Sequence, residues 1–257
     1  MAPAKLRCRP ISMKAFSERK SLVAILGATL FCVAGLTDRA RGTPADDFPL
    51  SEGTYWIYRG TVGCFDARTQ KSVDMPVEWK TQVTTSVRRG NLRATVINGF
   101  PADLDWSDGS PERKDSLIVQ EDEHKFYLVN FDNAQNVMKE VQNPGKSLAD
   151  IVTEDDLILE LPLSKGRKFG CDAATMQRED SEYCWRVDSV RDTSLDSVKG
   201  ITPERRTAYT IRFVTNPDDT QIDFVPGVGI TAYEYHHHGT EADTALKLVE
   251  FHLGENP

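Results

Sequence analysis

Short runs of alternating apolar and polar residues fill most of this 257-residue chain, and they constrain its fold more than any other feature. The alternation is clearest over residues 55–58, 77–83 and 92–97. Period-two patterning places one face of a strand on a core and the other face in water. Further strands are predicted over 116–120, 125–130, 157–161, 183–191, 207–215, 220–225, 229–238 and 246–253.

About eleven strands at this spacing, without long helices between them, favour an antiparallel meander over βαβ units. Turn residues at 89–91 and 216–219 fit hairpins, which makes neighbours in sequence neighbours in the sheet. One or two helical turns are predicted over 146–152. The predicted fold is therefore mainly β, an antiparallel meander curved into an open barrel or half-barrel with few or no helices.

Residues 1–42 differ in chemistry from the rest of the chain. Six basic residues between Lys5 and Lys20 precede an uncharged apolar run from Ser21 to Thr37. Such a run has the length of a signal-peptide core and lies at the short edge of a membrane-spanning helix. We interpret residues 1–42 as an export signal or N-terminal membrane anchor and residues 43–257 as a single antiparallel β domain, periplasmic or secreted.

The body of the chain is strongly acidic. Residues 1–42 hold eight of the 31 Lys and Arg and two of the 39 Asp and Glu, which leaves 23 basic and 37 acidic residues beyond them. This negative charge repels phosphate backbones and anionic headgroups. We therefore expect no nucleic-acid partner, and contact with a membrane solely through the N-terminal segment if that segment stays uncleaved.

Three cysteines lie beyond the export segment: Cys64, Cys171 and Cys184. In an oxidising compartment Cys171 and Cys184 form the natural disulfide, because they close a short loop. Cys64 is then either a free thiol or the partner of one of the other two, and spacing alone does not decide between these states.

One local pattern occurs twice in the chain. Residues 48–56 and 161–169 both read apolar-Pro-Leu-Ser-x-Gly-x-x-aromatic. In each copy Pro and Gly shape a bend, Leu enters the core and the aromatic residue opens the next strand. The repeat indicates either two halves of related build or a recurrent local turn.

Four stretches together resemble a family of uncharacterised exported bacterial proteins. They are PLxxGxxWxYRGTV at 49–62, GFPADLDW at 99–106, YCW at 183–185 and FVPGVGITAYEYHHHGT at 224–240. The resemblance covers nearly the whole body of the chain. It implies an exported β-rich protein, and it brings no activity, cofactor or site residue with it.

The histidine triplet 236–238 is the most suggestive candidate for a metal site. Side chains alternate along a strand, so Glu234, His236 and His238 are predicted to share one face. One carboxylate and two imidazoles suit zinc or another divalent ion, and Glu250 or His252 on the next strand is a candidate fourth ligand. The alternative is an ordinary polar strand end, because no established metal-binding motif is present.

Two other features allow both a functional and a structural interpretation. The acidic stretch 103–109 resembles a calcium loop but lacks the spacing and terminal Glu of an EF-hand, so a polar connection between strands explains it as well. Aromatic residues recur on strand faces, and Tyr233 and Tyr235 share one face with His237. Such aromatics either line a cavity for a small apolar ligand or form the core.

These observations favour a non-catalytic extracytoplasmic binding or carrier module for a small apolar ligand held in the concave face. No nucleophile motif such as G-x-S-x-G is present, which argues against an enzyme. Beyond a divalent metal no cofactor is expected. Two alternatives remain: a metal-dependent enzyme that uses residues 234–238, and an envelope assembly or protein-interaction module.

Overall fold

The structure, a computed structural model, describes residues 47–66, 71–106, 111–121, 124–239 and 242–254. The predicted export segment, residues 1–42, lies outside these ranges. Within them, no helix has the length and apolar character needed to cross a membrane.

Twelve strands form one antiparallel sheet in the described ranges. They are β1 (Tyr55–Asp66), β2 (Lys71–Arg89), β3 (Leu92–Asn98), β4 (Asp115–Glu121), β5 (Lys125–Val129), β6 (Leu157–Glu160), β7 (Lys168–Phe169), β8 (Trp185–Ser194), β9 (Arg205–Val214), β10 (Asp218–Val225), β11 (Gly229–His237) and β12 (Asp243–His252). The helices are α1 (Phe131–Gln142) and α2 (Ala173–Met176), with short 3₁₀ turns at Pro101–Leu104, Leu148–Asp150 and Glu154–Asp156.

The order of strands across the sheet is β6-β5-β4-β3-β2-β1-β12-β11-β10-β9-β8-β7. The two edge strands, β6 and β7, approach each other without a hydrogen-bonded ladder. The sheet therefore curves into a nearly closed barrel, and the prediction of an open antiparallel barrel with few helices is confirmed.

Helix α1 is not predicted from the sequence, although its apolar side chains follow the helical period. They are spaced i, i+3, i+4 and i+7: Ala134, Val137, Met138 and Val141. Ala134 and Val141 are buried, and the helix lies against β2, β3 and β4. This spacing is the signal that could have identified the helix. The helical turn predicted over 146–152 is found at Leu148–Asp150.

The two copies of the repeated motif form the same turn. Gly53 and Gly166 both adopt a φ of +83°. Gly53 N donates to Val83 O at 3.1 Å, and Gly166 N donates to Val187 O at 2.8 Å. Val83 in β2 and Val187 in β8 also mark equivalent register shifts, in the pairing of β2 with β3 and of β8 with β9. The two copies therefore match in the turn itself, in the strand that the turn contacts, and in the bulge where that strand pairs with the next one.

We interpret β1–β6 and β7–β12 as two copies of one six-stranded unit. The halves meet at the ladder between β1 and β12, which runs from the pair Tyr55 and His252 to the pair Gly63 and Asp243. The equivalent junction lies between β6 and β7. It has no ladder, and the two strands that meet there are four and two residues long.

Aromatic side chains from both halves fill the barrel. The ring of Phe48 lies 5.4 Å from that of Phe126 and 5.7 Å from that of Phe224, measured between centroids. Trp56 Nε1 donates to Val228 O at 2.6 Å, so this buried donor is satisfied across the barrel. All four aromatic residues are at most 4% exposed. The predicted aromatics of the strands therefore form a packed core here.

The predicted disulfide is confirmed. Cys171 and Cys184 are bonded, with their Cα atoms 5.1 Å apart. The bond ties the second residue after β7 to the residue before β8, next to the seam between the edge strands. The side chain of Cys64 lies outside the described part of the structure.

Substitution of Gly60 tests the ladder that joins the halves. A Cβ at Gly60 would lie 1.8 Å from Ala245 O on β12. We expect Gly60→Ala to lower the free energy of unfolding by about 3 kcal/mol, because the two strands would have to separate. Gly145→Ala is the matched control, since the nearest atom to its Cβ would be at 3.5 Å. Urea unfolding followed by circular dichroism measures both, and equal stabilities would show that the close approach is unimportant.

Candidate functional site

The connection between β3 and β4, described over residues 99–106 and 111–114, brings its two ends together, because Gly99 N donates to Lys114 O at 2.9 Å. Gly99 has a φ of +77°, and a Cβ there would lie 2.6 Å from a backbone carbonyl oxygen of β2. Its own carbonyl oxygen accepts hydrogen bonds from Trp79 Nε1 at 2.9 Å and Thr81 Oγ1 at 2.6 Å. Both donors are buried side chains of β2. The start of the loop is thus fixed against the interior of the sheet.

The first part of this loop packs into the concave face of the sheet. Phe100, Pro101 and Leu104 are all buried. The void left between loop and sheet is about 10 Å³, which is room for a single water. The prediction of a small apolar ligand in the concave face finds no support in this region, because the chain's own side chains occupy the space.

After Leu104 the loop reaches the end of the sheet at which β10 begins and β11 ends. Asp105 and Trp106 contact side chains of β11. We call the resulting group the rim cluster: Asp103, Asp105, Trp106, Asp218, Tyr233, Tyr235 and His237.

Asp105 is the buried centre of the rim cluster. Tyr233 OH donates to its Oδ2 at 2.6 Å. Its Oδ1 is buried and has no hydrogen-bond partner in the described part of the chain. Burial raises the pKa of Asp105 well above its usual range, against the opposite effect of the Tyr233 hydrogen bond, and the charges of Asp218 and Asp103 raise it further.

The other two carboxylates are also held by hydrogen bonds, and Thr215 Oγ1 donates to Asp218 Oδ2 at 3.4 Å. Tyr235 OH donates to Asp218 Oδ1 at 2.6 Å, and His237 Nε2 lies 4.0 Å from the same oxygen. Asp103 Oδ2 accepts from the backbone N of Lys114 at 2.9 Å. Burial nevertheless raises the pKa of Asp103 to about 6. Three carboxyl groups are therefore concentrated in a partly desolvated place.

Trp106 covers one side of the cluster and faces solvent on the other. Its ring lies 4.7 Å from the ring of His237 and 6.1 Å from that of Tyr235, edge-to-face in both pairs. Half of Trp106 is exposed, whereas the other three tryptophans of the chain are buried. An exposed indole beside carboxylates offers a flat surface and hydrogen-bond acceptors to a ligand.

The residues predicted to bind a metal lie elsewhere, on the outer face. Glu234 and His236 are exposed on β11, and exposed His238 follows the strand. The rings of His236 and His238 are 4.6 Å apart. His236 Nδ1 contacts Asp243 Oδ1 on β12, and the opposing residue on β10 is Asp219. The structure thus brings two further carboxylates to the predicted residues.

The prediction that Glu250 or His252 supplies a fourth ligand is wrong. The register pairs His236 with Asp243, whereas Glu250 and His252 pair with β1 near the other end of β12. In the ranges that the structure describes, no group of three or more His, Cys, Asp or Glu is arranged to hold a metal ion. A metal bound by Glu234, His236 and His238 stays a prediction.

The rim cluster was missed because its parts are far apart in sequence. Asp105 and Tyr233 are separated by 128 residues. The shared face of Tyr233, Tyr235 and His237 could be predicted from alternation alone. Nothing in the local pattern indicated that Asp105 and Trp106 fold back onto that face.

Comparison with known proteins gives no family. No family model and no curated protein matches the chain. A solved structure from Bacteroides fragilis, thought to be an exported protein and described as having a YMCC-like fold, is 14% identical, covers 80% of this chain and 98% of its own, and has a TM-score of 0.39. A protein from Parabacteroides distasonis thought to be a lipoprotein is 12% identical, with coverages of 80% and 97% and a TM-score of 0.34. At these scores neither similarity bears on the fold or function of this chain.

Asp105 is expected to make stability fall as the pH rises. Between the unfolded-state pKa near 4 and the raised pKa in the fold, the folded protein binds more protons than the unfolded chain. Asp105→Asn removes this ionisation, so the variant should lose less stability than the wild type between about pH 4 and pH 8. Urea unfolding at both pH values measures the difference.

Asp74→Asn is the control, because Asp74 is exposed on β2. It should keep the pH dependence of the wild type. A wild-type pH dependence in Asp105→Asn as well would contradict the assignment of the buried charge to Asp105.

Proposed function

We propose that this protein is an exported, non-catalytic binding module whose ligand binds at the rim cluster. The observation that carries the proposal is Asp105, a buried carboxyl group with one unpartnered oxygen beside the half-exposed Trp106. Buried polar atoms are nearly always hydrogen-bonded, so an open acceptor next to an exposed aromatic ring is typical of a ligand site.

The bonding of the cluster favours binding over chemistry. Tyr233 donates to Asp105 and Tyr235 donates to Asp218, both at 2.6 Å. Burial raises the pKa of Tyr233 well above its usual range, so its proton stays on the phenol. The two phenols therefore orient carboxylates. What is left for a ligand is a set of acceptor oxygens and one ring face.

The site proposed here replaces the concave face of the sheet as the ligand position. Phe48, Phe100 and Leu104 occupy that interior, and an apolar ligand would have to displace them. At the rim cluster Trp106 already faces solvent, so a ligand can reach its ring without displacing these core side chains.

Export is supported by two independent features. Disulfides form and persist in oxidising compartments, and Cys171 and Cys184 are bonded. The basic and then apolar order of residues 1–37 is that of an export segment. We therefore propose that binding takes place outside the cytoplasm.

A mixed library of cationic, anionic, neutral polar and apolar compounds tests the position of the site. Saturation-transfer NMR should detect ligands of the wild type that are lost in Trp106→Ala. Phe131→Ala is the matched control, since Phe131 is as exposed as Trp106, at 51%, and lies outside the cluster. Ligands kept by Trp106→Ala, or none at all, would reject the proposed site.

Thiol labelling after cell fractionation tests the compartment. In a bacterial host the full chain should be recovered from the envelope or periplasm, with Cys171 and Cys184 alkylated after reduction and not before. A chain without residues 1–42 should stay in the cytosol with both thiols reactive. Recovery of the full chain from the cytosol with free thiols would contradict export.

A further inference from the structure

We propose that the rim cluster recognises a protonated organic amine, an ammonium group with N–H donors. This inference rests on the proposed function and names the chemical class of its ligand. It stands on three properties of the cluster: its charge, its hydrogen-bonding inventory and its aromatic wall.

The charge of the cluster calls for a cation. Asp103 and Asp218 lie close enough to Asp105 to act on it electrostatically, and both disfavour its ionised form. Lys114, by contrast, acts on Asp103 and favours its ionised form. A positively charged ligand would offset this repulsion, whereas a phosphate or carboxylate would add to it.

The hydrogen-bonding groups of the cluster favour a ligand that donates hydrogen bonds. Both phenol protons are already donated, from Tyr233 to Asp105 and from Tyr235 to Asp218. Asp105 Oδ1 is buried and has no hydrogen-bond partner in the described part of the chain. A cation beside Asp105 favours its ionised form, which only accepts hydrogen bonds, and an ammonium group brings three donors and no acceptor.

The aromatic wall favours an organic cation over a metal ion. The half-exposed indole of Trp106 stands next to the carboxylates, and tryptophan is the strongest partner among the aromatic side chains for a cation over its face. A hard metal ion needs several oxygen ligands in a defined shell. Such a group is not found among the described His, Cys, Asp and Glu residues.

Isothermal titration of the full-length protein with 1,4-diaminobutane tests the inference. We expect saturable one-to-one binding that is weakened about tenfold or more in Asp105→Asn and in Trp106→Ala, the loss of one charge-assisted hydrogen bond or one cation–π contact. Asp74→Asn should bind as the wild type does, because it removes one exposed acid elsewhere. Asp218→Asn gives a second carboxylate variant should Asp105→Asn fail to fold.

Two further titrants separate the chemical classes. Tetramethylammonium carries the charge without N–H donors and should bind about tenfold more weakly than the diamine. Nα-acetyl-lysine amide presents its ammonium group as a lysine side chain of a protein does. Tighter binding of this compound than of 1,4-diaminobutane would identify a protein as the source of the ammonium group, and the reverse would identify a free amine. Calcium chloride should not compete with the diamine.

The outcomes distinguish this inference from the proposed function. Binding that is equal in wild type, Asp105→Asn and Asp218→Asn, or competition by calcium, would overturn recognition of an amine. If the compound library yields anionic or neutral ligands that depend on Trp106, and no amine binds, the site stands and the ligand class is wrong. If no compound depends on Trp106, the proposed site falls as well.

Discussion

The ladder between β1 and β12 holds the two halves of the barrel together. It pairs the first strand with the last, from Tyr55 with His252 to Gly63 with Asp243. Other pairings in the sheet join strands that are neighbours in sequence, so each half can form from local hairpins. Contacts across the interior, such as the hydrogen bond from Trp56 Nε1 to Val228 O, require that the halves have already met. The packed core and the rim cluster both depend on this one long-range pairing.

Much of the fold could be predicted because the strands are long enough to show their period. Eleven of the twelve strands correspond to alternating runs in the sequence, and the turns at 89–91 and 216–219 connect neighbouring strands as expected. The exception, β7, has only two residues, which is too short for any periodicity. Helix α1 was missed for a different reason. Its buried face is narrow, with Ala134 and Val141 fully covered, and the surrounding β pattern outweighed it.

The candidate site could not be predicted because local patterns do not report how a loop folds back. Alternation placed Tyr233 and Tyr235 on one face, and both are buried as expected for the inner side of a strand. An acidic stretch such as 103–109 is normally solvated, so Asp105 gave no sign that it would meet Tyr233. The histidine triplet drew attention because it is contiguous. Its neighbours Asp219 and Asp243 became visible only once the register of β10, β11 and β12 was known.

The similarity of the two halves bears on which part of the molecule carries the rim cluster. A half-length ancestor of six strands would close the same barrel as a pair of identical copies related by a twofold axis, each copy supplying one junction. Copies fused into one chain would then be free to diverge. The connection between β3 and β4 is residues 99–114, whereas its counterpart between β9 and β10 is only 215–217. The longer connection carries Asp105 and Trp106 onto strands of the opposite half, so the rim cluster is a property of the asymmetry and would have no counterpart in the symmetric ancestor.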